Sequence, residues 1–207
     1  EFRRVLFRST PLHVAAGKRQ TNAALTLLAL GAKVNARADS GVTPLHVAVL
    51  RGDVDMTRLL LANKASASVR DNFDTPPLML AVLLTEKIDL VKLLLAQRAE
   101  VNVRNRAGNT PLGEAARVGN VTAAELLLSA GADPNAIDGL LAVAPLHTAA
   151  GGGHAGLVQS LLRHRAKVDA LDARGETPLA YALRAGQTET ITLLRKAGGT
   201  TGVQPAL

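Results

Sequence analysis

Residues 43–48 read Thr-Pro-Leu-His-Val-Ala, and the chain returns to this phrase along its whole length. It recurs as Thr10-Pro11-Leu12-His13, Pro76-Pro77-Leu78-Met79, Thr110-Pro111-Leu112-Gly113, Ala144-Pro145-Leu146-His147 and Thr177-Pro178-Leu179-Ala180. Its leucines stand at 12, 45, 78, 112, 146 and 179, with spacings of 33, 33, 34, 34 and 33. Each phrase predicts the start of a helix. Proline at the first helical position gives up an N–H that has no partner there. Threonine just before it offers a capping hydroxyl. Leu45, Val47 and Ala48 then follow at helical spacing and mark a face turned to a neighbour. The small Ala48 lets that neighbour come close.

A second phrase keeps step with the first. It reads Gly31-Ala32-Lys33-Val34-Asn35, Arg98-Ala99-Glu100-Val101-Asn102, Gly131-Ala132-Asp133-Pro134-Asn135 and Arg165-Ala166-Lys167-Val168-Asp169. Between the two phrases lie leucine runs such as Leu59-Leu60-Leu61, Leu93-Leu94-Leu95 and Leu126-Leu127-Leu128, which predict a second helix. Gly52, Gly119, Gly153 and Gly186 stand where the first helix should end, and Gly31, Gly131 and Gly198 where the second should. Helix ends favour a left-handed residue. Segments such as Asp39-Ser40-Gly41 and Arg106-Ala107-Gly108 are then turns that project from the helices.

With this period and the Thr-Pro-Leu-His-x-Ala phrase, residues 10–199 resemble the ankyrin-repeat family. The resemblance implies an all-α repeat solenoid of stacked helix-turn-helix repeats with projecting β-turn fingers. Six repeats start near Thr10, Thr43, Pro76, Thr110, Ala144 and Thr177. It also implies that His13, His46 and His147 are structural, their imidazoles bonded to neighbouring turns. Stacking buries a continuous core that one repeat cannot bury alone. In the last repeat Leu193-Leu194-Arg195-Lys196 places charge where inner repeats carry a third leucine, as a polar cap should. Residues 200–207 are expected to be a flexible tail. Residues 1–9, EFRRVLFRS, share nothing with the repeats and match the translation of a widely used short-read sequencing adapter; they are expected to be an artefact replacing native sequence.

Composition narrows the function classes. Apolar residues make up 47% of the chain but aromatics only 2%, which favours close-packed Ala/Leu helices. The formal charge is +7, of which residues 1–9 contribute +2, leaving a mildly basic +5. There is no Cys, hence no disulfide or thiolate metal site. No apolar run reaches the length of a membrane span. No histidine has a partner at metal spacing, and no Ser sits in a nucleophile elbow. Gly151-Gly152-Gly153 closes a helix, whereas a phosphate loop opens one. No active site, cofactor or metal is expected.

Two segments depart from the pattern. Thr85-Glu86-Lys87 replaces the Gly-His turn and adds a residue. Residues 137–143, Ile-Asp-Gly-Leu-Leu-Ala-Val, form a turn longer by one residue and unusually apolar. A sequence error, a locally packed finger or a hydrophobic partner contact would each account for it.

The resemblance implies a concave face built from finger tips and first-helix ends, where ligands of the family bind. Matching positions here are Arg37, Asp39, Arg51, Arg70, Phe73, Arg104, Arg106, Arg117, Leu140, Leu141, Arg174 and Arg184. Eight of the twelve are Arg, over half of the 14 outside residues 1–9. Such a stripe favours a carboxylate-rich or phosphorylated partner, and Phe73, Leu140 and Leu141 could anchor an interface core. The plain alternative is a solvated set of charges. The expected function is a non-enzymatic, monomeric protein-interaction module that binds a protein with an acidic surface. The other reading is a regulatory or targeting C-terminal part of a larger enzyme, channel or exported protein. Nucleic acid is not the expected partner, because no aromatic platform accompanies the arginines.

Overall fold

Proline sets where each first helix begins. The computed structural model describes residues 8–202; most of the adapter-like stretch and the end of the 200–207 tail lie outside them. Six helices fall in a unit that runs to Glu100: α1 (Pro11–Gly17), α2 (Thr21–Ala29), α3 (Pro44–Leu50), α4 (Val54–Ala62), α5 (Pro77–Val82) and α6 (Ile88–Ala96). Six fall in a second unit from Val101: α7 (Pro111–Val118), α8 (Val121–Ser129), α9 (Pro145–Gly151), α10 (Ala155–Arg163), α11 (Pro178–Arg184) and α12 (Thr188–Lys196). Within each unit first helices stack on first helices and second on second, the arrangement of an all-α repeat solenoid. Among the described residues the sole extended pairing is one bridge between Asp138 and Val143.

The cores follow the leucine period. Leu12, Leu45 and Leu78 are buried in the first unit, and Leu112, Leu146 and Leu179 in the second. Ala48, Ala81, Ala115 and Ala149 have no exposure, so the small residue after the phrase packs fully into the core. Helix ends are left-handed as expected at Gly119 (φ +67°) and Gly131 (φ +91°). The same turn accepts Lys64, Arg98 and Arg165, at φ of 66°, 57° and 65°, where glycine is absent. There the carbonyls released at the helix end are taken by following N–H groups, as in Ala65 N–H to Leu60 O at 2.9 Å.

Two side-chain ladders tie repeats together. His46 Nδ1 accepts from the Thr43 N–H at 3.2 Å, so its Nε2 carries the proton and donates to Thr75 O at 3.0 Å. His13 reaches Val42 O, and His147 reaches Glu176 O, in the same way at 3.0 Å. The second ladder uses the asparagine of the second phrase. Asn102 Oδ1 accepts from Asp133 N–H at 2.9 Å and its amide donates to Gly131 O at 2.9 Å. Asn35 and Asn135 repeat this geometry, and Ser68 accepts from Glu100 N–H at 3.1 Å where a repeat lacks the Asn. Asp169 accepts from the N–H of Thr200 at 2.7 Å, and the Thr177 hydroxyl donates to Thr200 O at 2.6 Å. The first residue of the expected tail is thus tied to the last two repeats.

The histidine ladder makes stability depend on pH. Burial lowers the pKa of His13, His46 and His147 below 6.5, against the opposing pull of their carbonyl acceptors. The unfolded chain then binds more protons below about pH 6.5, so stability is complete above that value and falls as pH drops through it. Each histidine contributes up to about 1.4 kcal/mol per pH unit in that window. Urea midpoints should be level from pH 8 to 7 and decline towards pH 5.5, less steeply for His46→Gln. A level profile down to pH 5.5 would contradict the neutral ladder.

Candidate functional site

In the first unit the expected contact residues occupy the fingers and the end of a first helix. Arg37, Asp39, Arg51 and Phe73 are exposed and Arg70 is half-buried. Phe73 stands at the tip of a turn whose Asp71 carboxylate accepts from the N–H groups of Phe73 and Thr75 at 2.8 and 2.9 Å. Arg37 is not a free cation. It donates to Arg70 O at 2.7 Å, which is the carbonyl of the equivalent residue one repeat on. Arg70 pairs with Glu100 at 2.6 Å.

The second unit repeats the device. Arg104 donates to the carbonyl of Ile137, again the equivalent residue one repeat on, and to Gly108 O at 3.3 Å. Arg117 pairs with Glu114 at 2.9 Å. Arg174 and Arg184 share Glu176, at 2.8 and 2.5 Å, and the Arg184 guanidinium lies 4.8 Å from the Tyr181 ring centre. Tyr181 donates to Asp172 at 2.8 Å. Burial pushes the Asp172 carboxyl up, but the Glu176 N–H, the Tyr181 hydroxyl, the Arg174 N–H and the Arg174 charge outweigh it and hold the pKa at about 2. Arg106 is exposed and has partners of its own. The arginines are therefore oriented by the protein before any ligand arrives. A guanidinium has five N–H donors, so those spent on one carbonyl or carboxylate leave others for a partner.

The apolar finger 137–143 is locally built. Asp138 and Val143 exchange backbone bonds at 2.8 and 3.1 Å, which turns Leu140 and Leu141 outward, at 100% and 49% exposure. Its inner side answers a feature of the fourth phrase that sequence reasoning passed over. Gly113 holds the place of the motif histidine, so Thr110 has no imidazole of its own repeat. Asp138 enters the gap instead and accepts from the Thr110 N–H at 2.9 Å and from its hydroxyl. The fit is tight: a Cβ on Gly113 would lie 1.3 Å from Asp138 Oδ2. Burial raises the Asp138 pKa to about 6, although the Thr110 bonds and the Arg104 charge act the other way. The missing histidine and the added residue in the next turn are one structural event. The trace in the sequence is Gly113 in place of the motif histidine, a loss that Met79 and Ala180 share.

The family profile described as ankyrin repeats (3 copies) matches residues 3–71, 45–138 and 141–204. The chain belongs to the ankyrin-repeat family. Its fold is similar to that of an ankyrin repeat domain from Acinetobacter baumannii AYE, with a TM-score of 0.84, 28% identity, and coverage of 92% of this chain and 98% of that one. Among curated proteins, this ankyrin-repeat chain is 38% identical over 86 residues to the human protein named cyclin-dependent kinase inhibitor 2A, covering 41% of this chain and 55% of that one. It is 35% identical over 82 residues to bovine cyclin-dependent kinase 4 inhibitor B, covering 40% of this chain and 63% of that one. The chain thus matches between half and two-thirds of the length of these relatives. Membership supports a protein-protein interaction module.

Proposed function

We propose that this ankyrin-repeat protein is a non-enzymatic binding module. It grips a protein partner through the finger tips and first-helix ends, the face that the family resemblance makes concave. The observation that carries this reading is the pair of struts at Arg37 and Arg104. Each guanidinium is fixed on a neighbouring finger's carbonyl yet stays exposed. A fork held in place loses less freedom when it meets a carboxylate, and pre-organisation of this kind adds affinity. Phe73, Leu140 and Leu141 supply apolar contact beside the arginines. The relatives' names point to a protein as the class of target, and the arginine-rich tips favour one with an acidic surface.

The test is a charge reversal. Arg70→Glu with Arg104→Glu should weaken partner binding at least tenfold, on the order expected for losing charge-assisted bonds. The melting temperature should move little, because Arg104 is exposed and the Arg70–Glu100 pair is open to solvent, where ion pairs contribute little. Equal affinity for the parent and the double variant would rule the arginine face out.

A further inference from the structure

Between α7 and residues 137–143 lies a groove of about 300 Å³ whose charges do not balance. Its charged side chains are Glu114, Arg117 and Asp138. Arg117 is committed to Glu114, Nε to Oε2 at 2.9 Å, and the other Glu114 oxygen accepts from the Asn109 amide at 2.8 Å. Asp138 is different. It accepts from Thr110 alone, and among the described residues no ion pair joins it. The positive charge of Arg104 lies nearby, but its Nη1 donates to the carbonyls of Gly108 and Ile137, and among the described residues no hydrogen bond joins it to Asp138. The groove therefore ends on one half-buried carboxylate that has no ion-pair partner among the described residues, beside Gly113, which has no side chain to block the approach. Its rim is aliphatic: Leu140, Leu141 and Val143. A charge at the inner end and apolar walls around it complement a cation carried on a hydrocarbon stem.

We propose that this groove receives a lysine side chain of a partner protein, its ammonium on Asp138 and its stem along Leu140 and Leu141. This deepens the binding-module reading and rests on it. It also gives the extra residue of the fourth finger a purpose, because the longer turn both aims Asp138 inward and lifts the two leucines into the rim. The partner it selects is mixed in charge, acidic towards the arginines and lysine-bearing at this point.

A small probe tests the groove without any partner. Amide shifts of the full chain would be followed by NMR during titration with N-acetyl-lysine methylamide. The neutral N-acetyl-norleucine methylamide is the comparison. The lysine probe should cause saturable shifts centred on Gly113, Gly139, Leu140 and Leu141. The norleucine probe should bind about tenfold more weakly or less, as should the lysine probe with Asp138→Asn. That variant keeps the shape and an acceptor for Thr110, and its unchanged spectrum elsewhere would show that the fold is intact. Binding to the parent should strengthen as pH rises through about 6, where Asp138 ionises under the opposing charges of Arg104 and Glu114. Equal binding of the two probes, equal binding to Asp138→Asn, or no saturable shift in the groove would each overturn the proposal. None of these outcomes depends on whether the arginine face binds its partner.

Discussion

Replacing Gly113 with His, which restores the repeated phrase, should destabilise the second unit by about 3 kcal/mol, the upper end of overpacking costs. The reason is steric and specific. Asp138 already fills the space, with Oδ2 1.3 Å and Cγ 2.5 Å from the position a Cβ would take. Both are heavy atoms of a side chain anchored by the Thr110 N–H, so neither can yield without breaking that bond. Removing glycine from a helix gains only about 0.5–1 kcal/mol, too little to offset the clash. Asp138→Gly alone should cost about 1–2 kcal/mol, because the buried Thr110 N–H loses its acceptor. The double change should cost less than the sum by about 2 kcal/mol, because the imidazole can then take the role it has after Thr43. Urea unfolding of the four proteins measures the coupling. Strict additivity would show that Gly113 and Asp138 are independent.

The second large effect tests the stacking itself. Leu27 and Leu60 hold equivalent places in α2 and α4, yet Leu60 is fully buried and Leu27 only partly. Leu60→Ala should cost about 3–4 kcal/mol, the sum of lost transfer energy and the cavity left behind. Leu27→Ala should cost about half of that, since its side chain has less to lose on truncation. The difference arises because α4 lies between the neighbouring second helices α2 and α6. Equal losses at the two positions would mean that burial within each repeat, not stacking between repeats, sets stability.

The sequence made the helix pairs legible because their causes are local. Proline fixes the start of α3, Gly119 closes α7, and Leu45 and Ala48 stand at helical spacing towards a core. The role of His46 was legible too, through the family resemblance. The arginine struts were not. Arg37 and Arg104 donate to main-chain carbonyls one repeat further on, and a carbonyl carries no residue identity to read. The sequence therefore offered a stripe of free charge where the fold has oriented forks. The Asp138 insertion was invisible for a related reason. In the other fingers Asp71, Asn105 and Asp172 cap their own turns, and nothing local says that Asp138 should turn inward. That choice depends on an empty place 25 residues earlier, at Gly113.

The central claim is that a protein partner seats on the fingers and first-helix ends. The most direct measurement is hydrogen exchange of the chain alone and in a captured complex, with the Arg70→Glu, Arg104→Glu double variant as control. Partner-dependent protection should centre on residues 37–43, 70–75, 104–109 and 137–143, and should vanish with the double variant. Protection confined instead to the second helices, around Arg58, Lys92 and Glu125, would contradict this reading.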